Sequence, residues 1–568
     1  MSEANADVPA VKTEEVVVKL GSNLPSSTVE HMQPEALSNL RLCILSSAVM
    51  ILWLAGVISV VGMGFLLPVI QQDLHTSEGD VQWVNSSFNV TWGCFALVAG
   101  RLGDIYGLKL AFVSGLSWFT VWILVSAFMP NIIALSIIRA LAGLGFAIAC
   151  PAASGIIGTY FPPGRPKTLA FAAMAGAGAI GGGLGWLLSG MLVSVSRFTW
   201  RILPAITVGF AIYPITVGII FIPSDRSHSR DRRVDWLGAS TITAAQVLLT
   251  LALTFSVSNP RGWKAPSIPP ILVVSILLFG VFIWRQISLN RREPPRSGPP
   301  PLIPTRMFKG ASRQLLPLYA SAILVWSAVD NLAIFGSYFY FTVLQLPGWK
   351  AGLYVAPNLF GGLVASVRAS PFEMFQAEIL IKVIVALTLS VVPARFLLVV
   401  VNVIGALAGV FFASRTLKTP YYRADLWAWL TTGWATDGTM AVASVIISNL
   451  AKTEDQAVAN AVMLSFERFG SVFGLAILTI IRQATQSSEE KRLSAMHGVP
   501  LDWTDRQAAQ FKGLQAAFWA TAGFLFFAAV LVGIGMKGLD VVGKKTTEEK
   551  TALPAPTTSL GLQEESKA

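Results

Sequence analysis

The chain has 568 residues, of which 54% are hydrophobic and 13% are charged, and its formal net charge is +11. Soluble domains carry about 25% charged residues, and a single soluble core cannot bury this much apolar surface. The composition therefore excludes an ordinary soluble enzyme and indicates that the apolar segments lie in a lipid bilayer.

Apolar segments recur along the chain at the length of about 20 residues that a helix needs to cross a bilayer. They predict an all-α polytopic membrane protein with fourteen spans. The predicted spans are 43–70, 83–100, 109–130, 133–157, 167–192, 202–222, 236–256, 269–286, 314–343, 350–367, 396–413, 426–450, 457–481 and 514–536. The polar segments 1–42 and 537–568 are predicted to be disordered tails.

Basic residues are distributed unevenly between the loops. Through the first eight spans, the loops after even-numbered spans (even loops) contain fifteen Lys and Arg, and those after odd-numbered spans (odd loops) contain four. Short cytoplasmic loops are enriched in Lys and Arg, so we expect the even loops and both termini to be cytoplasmic. Because topology explains the positive charge, no nucleic-acid partner is expected.

The segment 287–310 is basic and rich in proline, which is typical of a linker. It predicts an N-terminal six-helix bundle over 43–222, a middle region over 223–313 that contains two spans, and a C-terminal six-helix bundle over 314–536. The segment 368–382 interrupts two apolar runs. Two interpretations remain open for it: a short amphipathic connection or a sequence insertion.

A polar stripe marks the start of the second span. Gln82, Asn85, Ser86 and Asn89 are spaced at i, i+3, i+4 and i+7, which places them on one helical face. Such a stripe inside a membrane helix lines water or substrate, or it forms hydrogen bonds between helices. We therefore treat these four residues as candidates for the substrate cavity.

The segment Gly100-Arg-Leu-Gly-Asp-Ile-Tyr-Gly-Leu-Lys109 directly follows the second span. It resembles the signature G-x-L-G/A-D-R-x-G-R-R/K of the major facilitator superfamily, although Ile105 and Leu108 replace basic residues. Glycines permit a tight turn and close helix approach, which suits a hinge. The residues that match and are assigned to transport or gating by this resemblance are Gly100, Gly103, Asp104, Gly107 and Lys109, with Leu102 as a further match.

Two further segments resemble motifs of the same superfamily. Arg139, alone in the apolar fourth span, lies in a segment similar to the span-four motif, and the resemblance implies a role in proton coupling; the alternative is helix packing. The fifth span is similar to the antiporter motif, although Trp186 stands where that motif has proline. Its small residues favour close helix packing. The glycines that fit are Gly181, Gly185 and Gly190.

Three acidic residues lie at membrane depth in the later spans: Asp330, Asp437 and Glu467. Ionisable groups in spans are costly, and they often carry protons or bind a partner, so these three are candidates for proton coupling. In the ninth span, Trp326 and Tyr338 are candidates for an apolar or amphipathic substrate. Interfacial aromatic belts are the alternative explanation for these rings.

The segments Gln82–Ser86 and Val234–Gly238 are similar to those of the fourteen-span drug:proton antiporters, especially fungal exporters. This resemblance implies a major facilitator fold, with two six-helix bundles plus two linker helices, and proton-coupled efflux of a drug, toxin or secreted metabolite such as a glycolipid. Uptake of a nutrient or organic acid, a non-transporting sensor and a membrane-embedded enzyme are the alternatives. The last lacks the clustered catalytic residues it would require.

No phosphate-binding loop or metal-binding spacing is present in the sequence. We therefore expect a proton gradient as the energy source, no metal and no cofactor. The expected partners are a small-molecule substrate and the lipid bilayer. The expected state is a monomer in the plasma membrane.

Overall fold

The computed structural model describes residues 38–162, 165–195, 199–223, 233–259, 262–291, 299, 301–303, 305–308, 310–358, 393–450, 456–497 and 501–536. Within these ranges every regular element is helical. We number the long helices, together with one short helix (α10) at the start of the tenth predicted span, in chain order. They are α1 (Asn39–Phe65), α2 (Trp83–Tyr106), α3 (Leu108–Ser126), α4 (Ile132–Tyr160), α5 (Arg165–Val195), α6 (Ile202–Phe221), α7 (Trp236–Ser258), α8 (Ile268–Arg291), α9 (Leu315–Tyr338), α10 (Gly348–Val355), α11 (Ala394–Ser414), α12 (Asp425–Leu450), α13 (Gln456–His497) and α14 (Trp503–Gly535).

Eleven helices in the described residues are long and apolar enough to cross a membrane. They establish a multi-pass helical membrane protein, as the composition indicated. Helices α2 and α12 are long enough, but their polar residues lower the mean hydropathy. Most of the predicted tenth span, and the whole of 368–382, lie outside the described residues.

The predicted first span, 43–70, is divided into α1 and a short helix, Leu67–Asp73, that meet at Leu66. Pro68 lies in the first turn of the short helix. Proline has no N–H to donate to the carbonyl four residues earlier, and its ring crowds that carbonyl, so α1 ends just before it. Hydrophobicity alone could not locate this break.

The predicted spans 457–481 and 514–536 are both parts of longer helices. Helix α13 has 42 residues and continues to His497, and α14 already begins at Trp503. Residues 482–497 extend about 24 Å at 1.5 Å per residue. Polar residues there support the helix, for example through the Gln486–Glu490 pair at 2.9 Å. Hydropathy identifies only the apolar part of a helix, so it does not locate the ends of helices that continue beyond the membrane.

The helices pack into two groups with a pair of helices beside them. Within the N-terminal group, α2 and α3 pack on α4, and α5 and α6 pack on α1. Within the C-terminal group, α9 packs on α13 and α14, and α11 packs on α12 and α14. Helix α7 packs against α8, and α7 also packs against α2 and α13. The groups meet where α2 contacts α13 and where α5 contacts α10.

The apolar cores show at which end the two groups are joined. One cluster contains Phe65 and Ile70 from the N-terminal group together with Phe339 and Phe412 from the C-terminal group. These residues lie near the odd loops, so we call this end the odd-loop end. Towards the opposite, even-loop end, the fully buried residues form one core in each group, and among the described residues only Leu97 of α2 and Leu464 of α13 pack against the core of the other group. The molecule is therefore closed by apolar packing at the odd-loop end.

The pair α7–α8 is fastened by a buried carboxylate at its even-loop end. Asp235 caps α7 by accepting a bond from the Gly238 N–H at 2.9 Å. Its oxygens also accept bonds from Arg285 at 2.7 Å and Gln286 at 3.0 Å. The side-chain Oε1 of Gln286 accepts a bond from the Ile303 N–H at 3.2 Å. This network joins both helices to the segment that follows them.

Candidate functional site

A cluster of charged side chains lies between α9 and α13, near the middle of their membrane-crossing parts. The guanidinium of Arg468 is 3.8 Å from Asp330 Oδ2 and 3.8 Å from Glu467 Oε2. Both ion-pair distances exceed ordinary hydrogen-bond lengths. One cation is therefore shared loosely between two carboxyl groups.

The same guanidinium lies over an aromatic ring of the other helix group. The central carbon of Arg468 is 4.4 Å from the centroid of the Trp92 ring in α2. The ring packs edge-on against Phe146 at 4.8 Å and Trp53 at 6.1 Å. A side chain at Gly93 would overlap the Cβ of Arg468, so the glycine permits this approach. Arg468 thus links the acidic pair to the aromatic core of the N-terminal group.

The members of this cluster differ in exposure. The side chain of Asp330 is 28% exposed and that of Arg468 is 12% exposed, whereas that of Glu467 is 1% exposed. Helix α9 is the most buried of the eleven apolar helices, because 78% of the residues in its most apolar 18-residue stretch are buried inside the protein. Asp330 therefore keeps some open surface on a helix that is mostly buried.

Arg139 in α4 is completely buried within the N-terminal group. Its guanidinium donates to Ser59 Oγ at 2.7 Å and to the Val84 carbonyl at 3.2 Å, and it lies 4.6 Å from the Phe88 ring. Among the described residues, no carboxylate lies within ion-pair distance of it. The buried cation is therefore held by neutral oxygen atoms and a ring face.

The polar stripe at the start of α2 is buried between the helix groups. The Gln82 amide donates to Thr479 Oγ1 of α13 at 2.7 Å. The Asn89 amide donates to the Asn85 carbonyl at 3.1 Å, while the Oδ1 atoms of Asn85 and Asn89 have no partner among the described residues. Ser86 is likewise buried. One member of the stripe thus fastens α2 to α13, and two retain unused acceptors.

Polar contacts close the odd-loop end. Arg482 of α13 forms an ion pair with Glu78, in the short helix that precedes α2. Arg482 also lies 5.2 Å from the Tyr338 ring, and the Tyr338 hydroxyl donates to Gln71 Oε1 at 3.2 Å. Each contact with Glu78 or Gln71 joins the two groups. Tyr338, a candidate for the substrate cavity, therefore contributes to this closure.

The three glycines of α5 form two different contacts. Gly181 and Gly185 lie against the backbone of α1, at Leu54 and Ile58. Gly190 instead lies against Gly348 and Gly352 of α10, where an added side chain would overlap the backbone. The first two glycines pack helices within one group. The third permits the two groups to meet at the odd-loop end.

The segment 100–109 forms a sharp turn at the even-loop end. Gly107 separates α2 from α3 with a φ of 101°, a conformation that favours glycine. The Lys109 ammonium donates to the carbonyls of Ile219 and Ile222, at 2.7 and 2.8 Å, and so caps α6. Gly100 and Gly103 lie in α2 near Pro151 and Leu108 respectively.

The remaining candidates have different surroundings. Trp326 is buried in the apolar core of the C-terminal group. Asp104 and Asp437 lie in α2 and α12, but their side chains are outside the described residues.

The structure brings together Asp330 and Glu467 but adds residues that the sequence did not single out: Arg468, Trp92, Glu78 and Arg482. Arg468 directly follows Glu467 in the sequence, and adjacent residues point to different helix faces. The sequence signal available was one basic residue in the middle of the apolar part of α13 and another at its end. Their partners come from distant helices, so spacing could not reveal them.

Comparison with known proteins relates the chain to a family of transporters. The family model described as Major Facilitator Superfamily matches residues 48–391 of the sequence. The chain is 32% identical over 215 residues to an uncharacterized transporter of this type from Schizosaccharomyces pombe, covering 37% of the chain and 40% of that protein. It is 24% identical over 452 residues to the efflux pump terJ of Aspergillus terreus, covering 76% of the chain and 80% of the pump.

A solved structure shares the fold. It is a bacterial homologue of the human lysosomal transporter Spinster, in an inward-facing and unoccupied conformation. The TM-score is 0.57 at 16% identity, and the match covers 89% of the chain and 98% of that protein.

Proposed function

The chain belongs to the major facilitator superfamily, and from this membership we propose that it exports an amphipathic small molecule across a membrane in exchange for protons. The proposed fold has fourteen spans: two six-helix bundles, α1–α6 and α9–α14, and two linker helices, α7 and α8. Eleven described helices meet the requirements for crossing a membrane. Helices α2 and α12 overlap two further predicted spans, and α10 overlaps only the start of the predicted span 350–367.

The proposed orientation places the even loops and both termini in the cytoplasm, with the plasma membrane as the location. The excess of basic residues in the even loops supports this orientation. The closed odd-loop end is then extracellular, and in this state we expect the protein to accept a substrate from the cytoplasm or from the inner leaflet.

The observation that carries the proposal is the position of the charged cluster relative to the closure. Asp330, Glu467 and Arg468 lie at mid-depth, beside the contact of α2 with α13, and the closure lies at one end. Rocking of one bundle against the other around a midplane site is the typical transport movement of such folds. Binding or release of a proton at a carboxyl group there changes the free energy of each state differently.

Efflux is supported over uptake by the similarity to the pump terJ, which extends over most of both chains. An imposed potential can drive such exchange, because each charge that crosses the membrane yields about 2.3 kcal/mol per 100 mV. We therefore expect substrate to leave the cell while protons enter.

Dye export from energised cells tests the proposed function. Cells that express the chain are loaded with a neutral dye (Nile red), a cationic dye (rhodamine 6G) or an anionic dye (fluorescein). We expect export of at least one dye above the vector control, and we expect a protonophore to abolish it. Export that persists with the protonophore contradicts proton coupling. If no dye is exported and deletion changes no secreted compound, the proposed efflux is wrong.

Proton exchange at Asp330 is tested in proteoliposomes with an imposed pH gradient, using a dye that the cell assay identifies. An amide cannot release a proton, so we expect Asp330→Asn to lose accumulation driven by the gradient, while exchange of dye down its own gradient persists. Glu489→Gln, in the polar extension of α13, should behave like the wild type. Gradient-driven accumulation by Asp330→Asn would exclude Asp330 as the coupling carboxyl.

A further inference from the structure

We propose that the substrate is an organic cation and that Arg468 occupies its binding site as a tethered cation while the protein is empty. The inference rests on the proposed transport function and specifies the chemical class of the substrate. The site consists of the Trp92 ring, the carboxyl groups of Asp330 and Glu467, and the space now filled by the Arg468 guanidinium.

The chemistry around Arg468 is that of a cation site. A tryptophan ring is the aromatic surface that attracts a cation most strongly, and the attraction increases when water is excluded. Trp92 is 2% exposed. The ring supplies one face of the site, and two carboxyl groups supply the opposite charge. The guanidinium of Arg468 thus lies near two carboxyl groups and one aromatic ring, whereas a cation in a single ion pair has one carboxyl group.

The contacts of Arg468 are not optimal, which leaves room for a competitor. Its distances to both carboxylates are 3.8 Å, longer than the 2.7 to 2.9 Å of strong charge-assisted bonds. Arg468 Nε, Trp92 Nε1 and Glu467 Oε1 are buried without a hydrogen-bond partner among the described residues. Glu467 Oε1 is an acceptor, and a cation that approached this carboxyl group more closely would displace the guanidinium.

The site is assembled from both helix groups. Trp92 lies in α2 of the N-terminal group, whereas Asp330, Glu467 and Arg468 lie in α9 and α13 of the C-terminal group. Any rotation of α2 against α13 therefore separates the Arg468 side chain from the Trp92 ring. Arg468 can then remain with the carboxylates in one state and leave the ring face to a ligand in another.

The neighbourhood of the site favours an amphipathic cation over a small inorganic one. The Trp92 ring is continuous with an aromatic cluster that includes Trp53 and Phe146. The cation-binding groups thus adjoin a large apolar surface. An organic cation with aromatic substituents uses both features, whereas a metal ion would require more oxygen ligands than these carboxyl groups provide.

A pair of matched ions tests this assignment. Tetraphenylphosphonium and tetraphenylborate have nearly the same size and shape but opposite charge. Their binding to the full-length protein in detergent is measured by equilibrium dialysis, with protein-free micelles subtracted. We expect the wild type to bind the phosphonium more tightly than the borate. Arg468→Met removes the tethered cation, and we expect it to increase phosphonium affinity about tenfold.

Two further variants separate the roles of the residues. Arg468→Lys retains a tethered cation and should keep phosphonium affinity within about threefold of the wild type. Asp330→Asn in the Arg468→Met background removes one carboxylate and should reverse most of the gain. Thermal unfolding in the absence of ligand identifies any variant that does not fold; a folded Arg468→Leu serves as the replacement for Arg468→Met.

The outcomes distinguish this inference from the proposed function. Unchanged or weaker phosphonium binding by folded Arg468→Met contradicts the tethered-cation inference. Equal or tighter binding of the borate, or no binding of either ion by any variant, contradicts a cationic substrate. In either case, protonophore-sensitive export of a neutral or anionic dye in the cell assay would still support transport. If the wild type exports none of the dyes, the proposed export function itself is contradicted.

Discussion

At the scale of single residues, several buried arginines make the contacts that hold helices of this membrane protein together. Arg415 binds both oxygens of Asp425 at 2.7 and 2.6 Å, and Arg482 pairs with Glu78. Arg139 instead is held by Ser59, a backbone carbonyl and a ring. A charge in a low-dielectric interior is costly unless it is compensated. Each of these arginines therefore restricts which helix arrangements are stable.

The pair Glu78–Arg482 provides a direct test at this scale. Because Arg482 is 4% exposed, Glu78→Ala leaves an almost buried cation without its carboxylate and should destabilise closure of the odd-loop end. We expect an impermeant thiol reagent to label a cysteine at Ile334, which is now buried beneath the closure, about tenfold faster in this variant, equivalent to about 1.4 kcal/mol.

The charge exchange Glu78→Arg with Arg482→Glu is the control for this prediction. It restores opposite charges across the same contact, so the slow labelling rate should return in part. Rapid labelling by both the single and the exchanged variant would mean that packing alone, rather than the ion pair, controls the closure.

The sequence was informative about some residues of the site and not about others. Asp330 and Glu467 were predicted from charge at membrane depth, because such a charge is conspicuous in an apolar segment. Their common partner Arg468 depends on how α9 and α13 are rotated. Trp92 lies in another helix group, and tryptophan in an apolar segment carries no distinguishing signal. Contacts of this kind require the tertiary arrangement.

At the scale of helices, hydropathy predicted the positions of the membrane segments better than their ends. It could not show the break at Leu66, which depends on Pro68, or the extension of α13 to His497, which depends on polar helix-forming residues. The glycines of α5 were predicted to pack helices. The structure shows that Gly190 contacts α10, in the other group.

The contact of α5 with α10 depends on the absence of a side chain at Gly190. Gly190→Ala would place a methyl group into the backbone of Gly348 and Gly352. We expect the odd-loop end to separate and export to decrease at least about tenfold, although alanine is the better helix former. Initial rates of dye export, normalised to protein in the membrane, measure the effect.

Gly182→Ala on the same helix is the matched control, because a Cβ there meets no atom within 4 Å. This variant should retain most of the export rate. Equal losses in both variants would indicate that α5 is sensitive to any side chain, and normal export by Gly190→Ala would show that the contact with α10 is not required.

At the scale of the whole molecule, the two helix groups share an apolar core at the odd-loop end and have separate cores towards the even-loop end. The helical membrane fold and the superfamily could be predicted from composition, the recurring apolar segments and the segment 100–109. The conformational state could not, because open and closed arrangements bury different surfaces of the same helices. Transport by alternating access requires that the closed end opens while the other end closes.

Distances at the two ends, measured by electron paramagnetic resonance, test this movement most directly. Spin labels are placed at Gln72 and Lys418 for the odd-loop end, and at Tyr106 and Arg313 for the even-loop end, all of them exposed, after the three cysteines have been replaced. With tetraphenylphosphonium and a change of pH, we expect the first distance to increase and the second to decrease. If both distances change in the same direction, or neither changes while export continues, the two groups do not alternate around the charged cluster.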